Sequence, residues 1–164
     1  MQVPKRKPGK FAHLKADQNI TEEKFEELKA ELERLKKFSL PAAAEEVATL
    51  AQMGDFSENA AYQMAKGRLR GINQRILELE DRIKYAVIIK PSKNAQTVGL
   101  GHKVTIESGG ESKTYLILGS AETDPLKGII SQNSPLGSAL MGRKLGDKIK
   151  IPPKGVEWKI LKIE

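Results

Sequence analysis

Residues 65–86, AKGRLRGINQRILELEDRIKYA, decide the fold of this chain. Ala65, Leu69, Ile72, Ile76, Leu79, Ile83 and Ala86 recur at alternating spacings of four and three. That is the period of a heptad seam, which places all seven on one helical stripe. Carried back to Ser57 and on to Val87, the pattern predicts a helix of roughly 45 Å at ~1.5 Å per residue. Gly67 and Gly71 run against it, each costing about 1 kcal/mol relative to alanine. Nothing in the sequence compensates for them.

Working toward the N-terminus, Thr21 followed by Glu22 and Glu23 reads as a helix N-cap with acids in the first turn. Phe25, Leu28, Leu32 and Leu35 then continue at heptad spacing. Pro41 removes a helix hydrogen bond and crowds the turn before it, so a break is expected there. A second segment, Ala42 to Met53, would follow, with Val47, Leu50 and Ala51 on its apolar face. Met53-Gly54-Asp55-Phe56 leaves room only for a tight reversal, and Gly54 stands where a C-cap glycine belongs. The two helical stretches therefore form a long antiparallel hairpin. An ordinary hairpin that mediates oligomerisation would satisfy the same periodicity.

Toward the C-terminus the chain changes character near residue 89. Ten of the 14 glycines fall after residue 90, which marks a boundary around Pro91-Ser92-Lys93-Asn94. Lys103 to Glu107 and Lys113 to Leu118 flank Ser108-Gly109-Gly110-Glu111, a β-hairpin signal. Further strands are predicted at Lys127 to Ser131, Lys148 to Ile151 and Val156 to Ile163. Ser134-Pro135 opens one short helix, with Ser134 as cap, and Gly142 ends it. The fold class is α+β: a helical hairpin over 21–90, then an antiparallel β domain with one short helix over 91–164. Residues 1–20 form a basic arm, expected to be flexible.

Composition narrows the chemistry. The chain has 164 residues, enough for one domain or two small ones. No apolar run approaches the ~20 residues of a membrane span, and no secretory signal follows the early lysines. A cytoplasmic, membrane-free protein is expected. With no cysteine, disulfides, thiolate catalysis and cysteine-ligated zinc are all excluded. His13 and His102 make no metal-binding pattern and read as surface histidines. The net charge of +7 favours phosphates or an acidic partner surface.

The hairpin tip reads Gly54-Asp55-Phe56-Ser57-Glu58-Asn59-Ala60-Ala61-Tyr62. Asp55 as N-cap with Glu58 three residues on is a capping box. The same spacing also serves as an exposed acid pair at the hairpin end. Mg²⁺ takes oxygen ligands, often one or two carboxylates completed by phosphate and water. A helix N-terminus carries partial positive charge, so the isolated tip would hold the ion weakly. Lys66, Arg68, Arg70 and Arg75 add a basic stretch within a few turns of the tip.

GDFSENAAY resembles the tip motif of the bacterial Gre transcript-cleavage factors. The heptad helices resemble the family's coiled-coil domain. Residues 119–125 (GSAETDP), 130–137 (ISQNSPLG) and 140–147 (LMGRKLGD) resemble its C-terminal domain, in colinear order over roughly residues 20–163. The resemblance implies a C-terminal domain of FK506-binding-protein-like fold that docks at the rim of the RNA polymerase secondary channel. It implies a coiled coil that enters that channel, and the protein is expected to be a monomer. Asp55 and Glu58 match the family's two acids, which help hold a second Mg²⁺ with the polymerase, so that the polymerase's own active site hydrolyses backtracked RNA. Gly54, Ser57, Asn59 and Tyr62 match supporting positions. Lys66, Arg68, Arg70 and Arg75 would meet the nascent RNA 3′ segment or the channel wall. The arm Met1 to Lys15 departs from the pattern and is read as a disordered arm or a second polymerase or nucleic-acid contact. Pro152-Pro153-Lys154-Gly155 also departs from it, as a loop variation.

Four other functions compete. A Gre-like factor that occupies the channel and inhibits would keep the same plan, although Asp55 and Glu58 favour cleavage. A prolyl isomerase generally needs an aromatic-lined pocket, and beyond residue 90 only Tyr115 and Trp158 are aromatic. A direct DNA-binding protein is disfavoured by the acidic tip and the lack of a recognition helix. An independent nuclease is disfavoured because two acids on a positive helix end make a poor metal site.

Overall fold

The computed structural model describes residues 17–52, 60–90, 96–151 and 155–164. The chain enters through a short strand, β1 (Asn19–Ile20), and turns into helix α1 (Glu22–Arg34). Thr21 caps α1: its hydroxyl oxygen accepts the Lys24 N–H at 3.2 Å, satisfying one of the first-turn donors. A π-helical turn over Leu35–Ser39 leads without interruption into α2 (Leu40–Gln52). The return helix α3 (Ala60–Lys84) ends in β2 (Val87–Ile88), which pairs with β1 in parallel. Asp17 to Ile20 are thus part of the fold, although the sequence placed them in the arm.

The break expected at Pro41 is not found. Proline has no N–H to give to the carbonyl four residues back, and its ring crowds that carbonyl. The helix meets this by widening one turn just ahead of it, where the Leu40 N–H reaches back five residues to the Leu35 carbonyl. A π turn of this kind adds a residue without ending the helix.

The seam packs as its period predicts. Leu28 of α1 and Leu79 of α3 are buried with Ile20, and Phe25, Leu32, Leu35, Ile83 and Ala86 close around them. At ~25 cal/mol per Å², each fully buried leucine contributes about 1.5–3 kcal/mol. Farther out, the buried positions among the described residues are Ile76 and then the small residues Ala43 and Ala65. As built, α3 is about 37 Å long. The stretch expected to join it from residue 57 lies outside the described residues.

The C-terminal half holds a five-stranded sheet: β3 (Lys103–Ser108), β4 (Glu111–Leu118), β5 (Ile129–Ser131), β6 (Lys148–Ile151) and β7 (Val156–Ile163), in the order β5-β4-β3-β7-β6. Gly109 and Gly110 both take positive φ, as a tight two-residue hairpin turn requires. The sheet is not purely antiparallel. β5 runs parallel to β4, with Leu116, Ile117 and Leu118 beside Ile129, Ile130 and Ser131. Two 3₁₀ turns, Ser120–Glu122 and Pro125–Lys127, carry the chain back far enough for that pairing. Helix α4 (Pro135–Leu140), capped by Ser134, lays Leu136 and Leu140 on a core of Val104, Ile106, Ile117, Ile149 and Ile160.

His102 is not a surface residue. It is 4% exposed, and its Nδ1 accepts the Gly99 N–H at 2.9 Å. This is a structural role, which the two-histidine spacing argument had no means to detect.

Candidate functional site

Helix α2 stops at Gln52 and α3 starts at Ala60, so the stretch bearing Gly54, Asp55, Ser57, Glu58 and Asn59 joins them. Those five positions lie outside the described residues, as do the tight reversal and the capping box read there. Tyr62 is described and half-buried on the first turn of α3.

The basic residues divide into two pairs. Lys66 and Arg70 are four apart and share one face of α3, both exposed. The Lys66 ammonium stands 5.4 Å from the Tyr62 ring centroid, a cation–π contact one turn from the helix start. Arg68 and Arg75 are seven apart and occupy the flank facing the other helix. Arg68 pairs with Glu46 of α2. Arg75 grips Glu31 of α1 with both arms of its guanidinium, Nε to Oε1 at 2.9 Å and Nη2 to Oε2 at 3.1 Å. That hydrogen bonding holds the Glu31 carboxyl below its ordinary range and raises the Arg75 guanidinium. Lys36 and Glu80 form a third bridge between the helices. Each pair is largely exposed and contributes little, ~0–1 kcal/mol, while all three tie α3 to the outgoing helical stretch. Gly67 and Gly71 have open space where a Cβ would stand, so packing does not explain them.

At the other end the hairpin meets the sheet through a polar junction that sequence reasoning missed. The Glu122 carboxylate accepts the Thr21 N–H at 2.7 Å and also the Thr21 hydroxyl. Asp17 accepts the Ser120 N–H at 2.9 Å, the Asn19 N–H at 3.1 Å and the Asn19 side-chain amide at 2.8 Å. Burial pushes the Asp17 pKa up, but the hydrogen bonds from Ser120, Asn19 and Gln132 outweigh it and leave the group below its ordinary value. Ala121 adds an apolar contact to the hairpin core. Gly119 makes the approach possible: a Cβ there would sit 1.8 Å from the Asn19 carbonyl oxygen. The run GSAETDP carried this signal, though no local pattern says which distant backbone it touches.

Among the described residues no cluster of three or more His, Asp or Glu side chains is placed to hold a metal ion. No described helix is long and apolar enough to cross a membrane.

Two family models cover nearly the whole chain. The one described as "Transcription elongation factor, N-terminal" matches residues 18–88, and "Transcription elongation factor, GreA/GreB, C-term" matches 92–164. Transcription elongation factor GreA of Macrococcus caseolyticus is 38% identical over 148 residues, spanning 88% of this chain and 94% of that protein. The GreA of Staphylococcus saprophyticus is 41% identical over 141 residues, spanning 84% and 89%. Among solved structures, GreA factor homolog 1 of Thermus thermophilus aligns over 90% of this chain and 99% of its own, at 30% identity and a TM-score of 0.42. By both of its halves, this chain belongs to the GreA/GreB family of transcription elongation factors.

Proposed function

We propose that this protein acts as a monomer on bacterial RNA polymerase in the cytoplasm, stimulating the polymerase to cleave backtracked RNA without being a catalyst itself. The observation that carries this reading is family membership over both halves, joined to a braced two-helix shaft that ends at the acid-bearing stretch. Residues 21–90 are assigned as the channel-entering unit and 91–164 as the docking unit.

Asp55 and Glu58 are the assigned acids. As two carboxylates they supply part of an oxygen ligand set suited to Mg²⁺ and leave the remainder to polymerase aspartates and the RNA phosphate. An ion shared in this way would activate water for phosphodiester hydrolysis in the polymerase's own site. Gly54, Ser57, Asn59 and Tyr62 are assigned to shaping and supporting the tip. Lys66 and Arg70 are assigned to the phosphates of the nascent RNA 3′ segment, since their ammonium and guanidinium groups pair with no acid among the described residues. Such contacts are sequence-independent and weaken with salt. Arg68 and Arg75 are assigned to holding the shaft straight.

The test adds the full-length protein to a stalled, backtracked complex of its own polymerase. Release of short 3′ RNA fragments is expected. A complex that binds the protein and releases none would overturn the reading.

A further inference from the structure

The C-terminal sheet has one covered face and one open face. Residues paired in register on neighbouring strands share a face. Ile149 pairs with Trp158, Ile106 with Ile160 and Val104 with Tyr115, all on the side that the core and α4 cover. The alternate residues point the other way. They include Lys148 and Lys150 of β6, Lys159 of β7 and Lys103 of β3, all exposed. Lys162 joins them across a bulge in β7, paired with Thr105. Thr105 in turn pairs with Thr114, and their hydroxyl oxygens are 2.9 Å apart on this open side.

Charge on the open face is only partly neutralised. Lys148 meets Glu157 at 3.5 Å and Lys162 meets Glu164 at 2.7 Å. Lys103, Lys150 and Lys159 form no ion pair among the described residues. Lys159 also stands directly opposite Lys148, a like-charge pair that destabilises a sheet. Lysines on an edge strand guard it against pairing with another chain, which accounts for Lys148 and Lys150 on β6. That need does not extend to Lys159 or Lys103, whose strands lie inside the sheet.

The make-up of this face selects its partner. Protein interfaces favour aromatic residues and arginine and are depleted in lysine. Here lysine stands without either. Proteins that hold single strands stack the bases on aromatic side chains. Tyr115 and Trp158, the two aromatic residues beyond residue 90, lie on the covered side. Duplex phosphates ask only for positive charge and polar donors. When one threonine hydroxyl donates to the other, the acceptor keeps its own hydrogen for a donation outward.

We infer that the open face of this sheet is a sequence-independent contact for the phosphate backbone of duplex DNA, separate from the hairpin tip. No recognition helix is needed, because no base is read. The inference goes beyond the cleavage reading and does not depend on it.

Fluorescence anisotropy of a labelled DNA duplex, titrated with the full-length protein across a salt series, tests it without polymerase. Lys103→Gln/Lys150→Gln/Lys159→Gln should weaken binding roughly ten-fold at low salt and lower the slope of log K against log salt by about one per lysine. Glu107→Gln removes an acid from the same face and should tighten binding about two-fold, a gain that damaged folding cannot mimic. Lys24→Gln/Lys29→Gln/Lys36→Gln removes equal charge from the first helical stretch and should weaken binding by less than about three-fold. Equal losses in the two triple variants would overturn the proposal, as would undiminished binding by the first. So would tighter binding to a single strand of the same length than to the duplex. Lost binding to DNA-free polymerase in the first triple variant, with duplex binding intact, would overturn it in favour of an acidic protein surface.

Discussion

Replacing Gly119 with alanine should loosen the joint that aims the hairpin. The added Cβ would lie 1.8 Å from the Asn19 carbonyl oxygen and 2.9 Å from its carbon. Neither atom belongs to a flexible side-chain end, so two backbones must part by about 1.2 Å before the contact reaches 3.0 Å. The segments forced apart are those that hold Glu122 on Thr21 and Asp17 on Ser120. A hydrogen bond to a charged group is worth roughly 1.5–3 kcal/mol. Since these groups are only half-buried, losing the Glu122 pair costs on the order of 2–4 kcal/mol in all. For a chain of this size each kcal/mol moves Tm by ~2–4 °C, so a fall of roughly 5–15 °C is expected. Thermal unfolding followed by circular dichroism measures it, and hydrogen exchange at Thr21 and Ser120 localises it. A Gly119→Ala variant that melts with the wild type would refute the close approach on which the joint depends.

Gly67→Ala and Gly71→Ala meet open space on α3, and each should stabilise the chain by about 0.8–1 kcal/mol in the same melts. Asp17 and Glu31 both titrate below their ordinary values when folded, so the unfolded chain binds more protons in that range. Their contribution to stability is complete above the ordinary carboxylate range of about 4 and is lost as pH falls through the folded values. Urea melts from pH 6 downward should show that loss, and Asp17→Asn should flatten it. A Lys66→Ser/Arg70→Ser variant should lower RNA cleavage and weaken its salt dependence while costing no more than ~1 kcal/mol of stability, the worth of the exposed Lys66–Tyr62 contact. Arg75→Gln should instead cost up to ~1 kcal/mol of stability through the Glu31 bridge.

Local period was legible, and partnership was not. The alternation from Ala65 to Ala86 named the buried stripe of α3, and Leu28, Leu32 and Leu35 named the stripe facing it. Lys148–Ile151 and Val156–Ile163 form strands over the ranges predicted, and Ser134 caps α4. These are short-range preferences, written into neighbouring residues. The parallel pairing of β5 was hidden because the run from Ile129 to Ser131 looks alike in either direction. The contact of Thr21 with Glu122 spans 101 positions, a separation at which one sequence gives no pairing signal. Pro41 announced a disturbance correctly, but its outcome, a widened turn instead of a break, depends on how α3 holds both segments. Of the candidate site, the division of the basic residues emerged only when α1 and α2 supplied Glu31 and Glu46 as partners.

The central claim is that Asp55 and Glu58 complete a polymerase active site. Its most direct test compares wild type with Asp55→Asn and Glu58→Gln in a backtracked elongation complex, with binding measured alongside cleavage. Both variants should bind as the wild type does and release little or no 3′ RNA fragment. Undiminished cleavage in both would contradict the account.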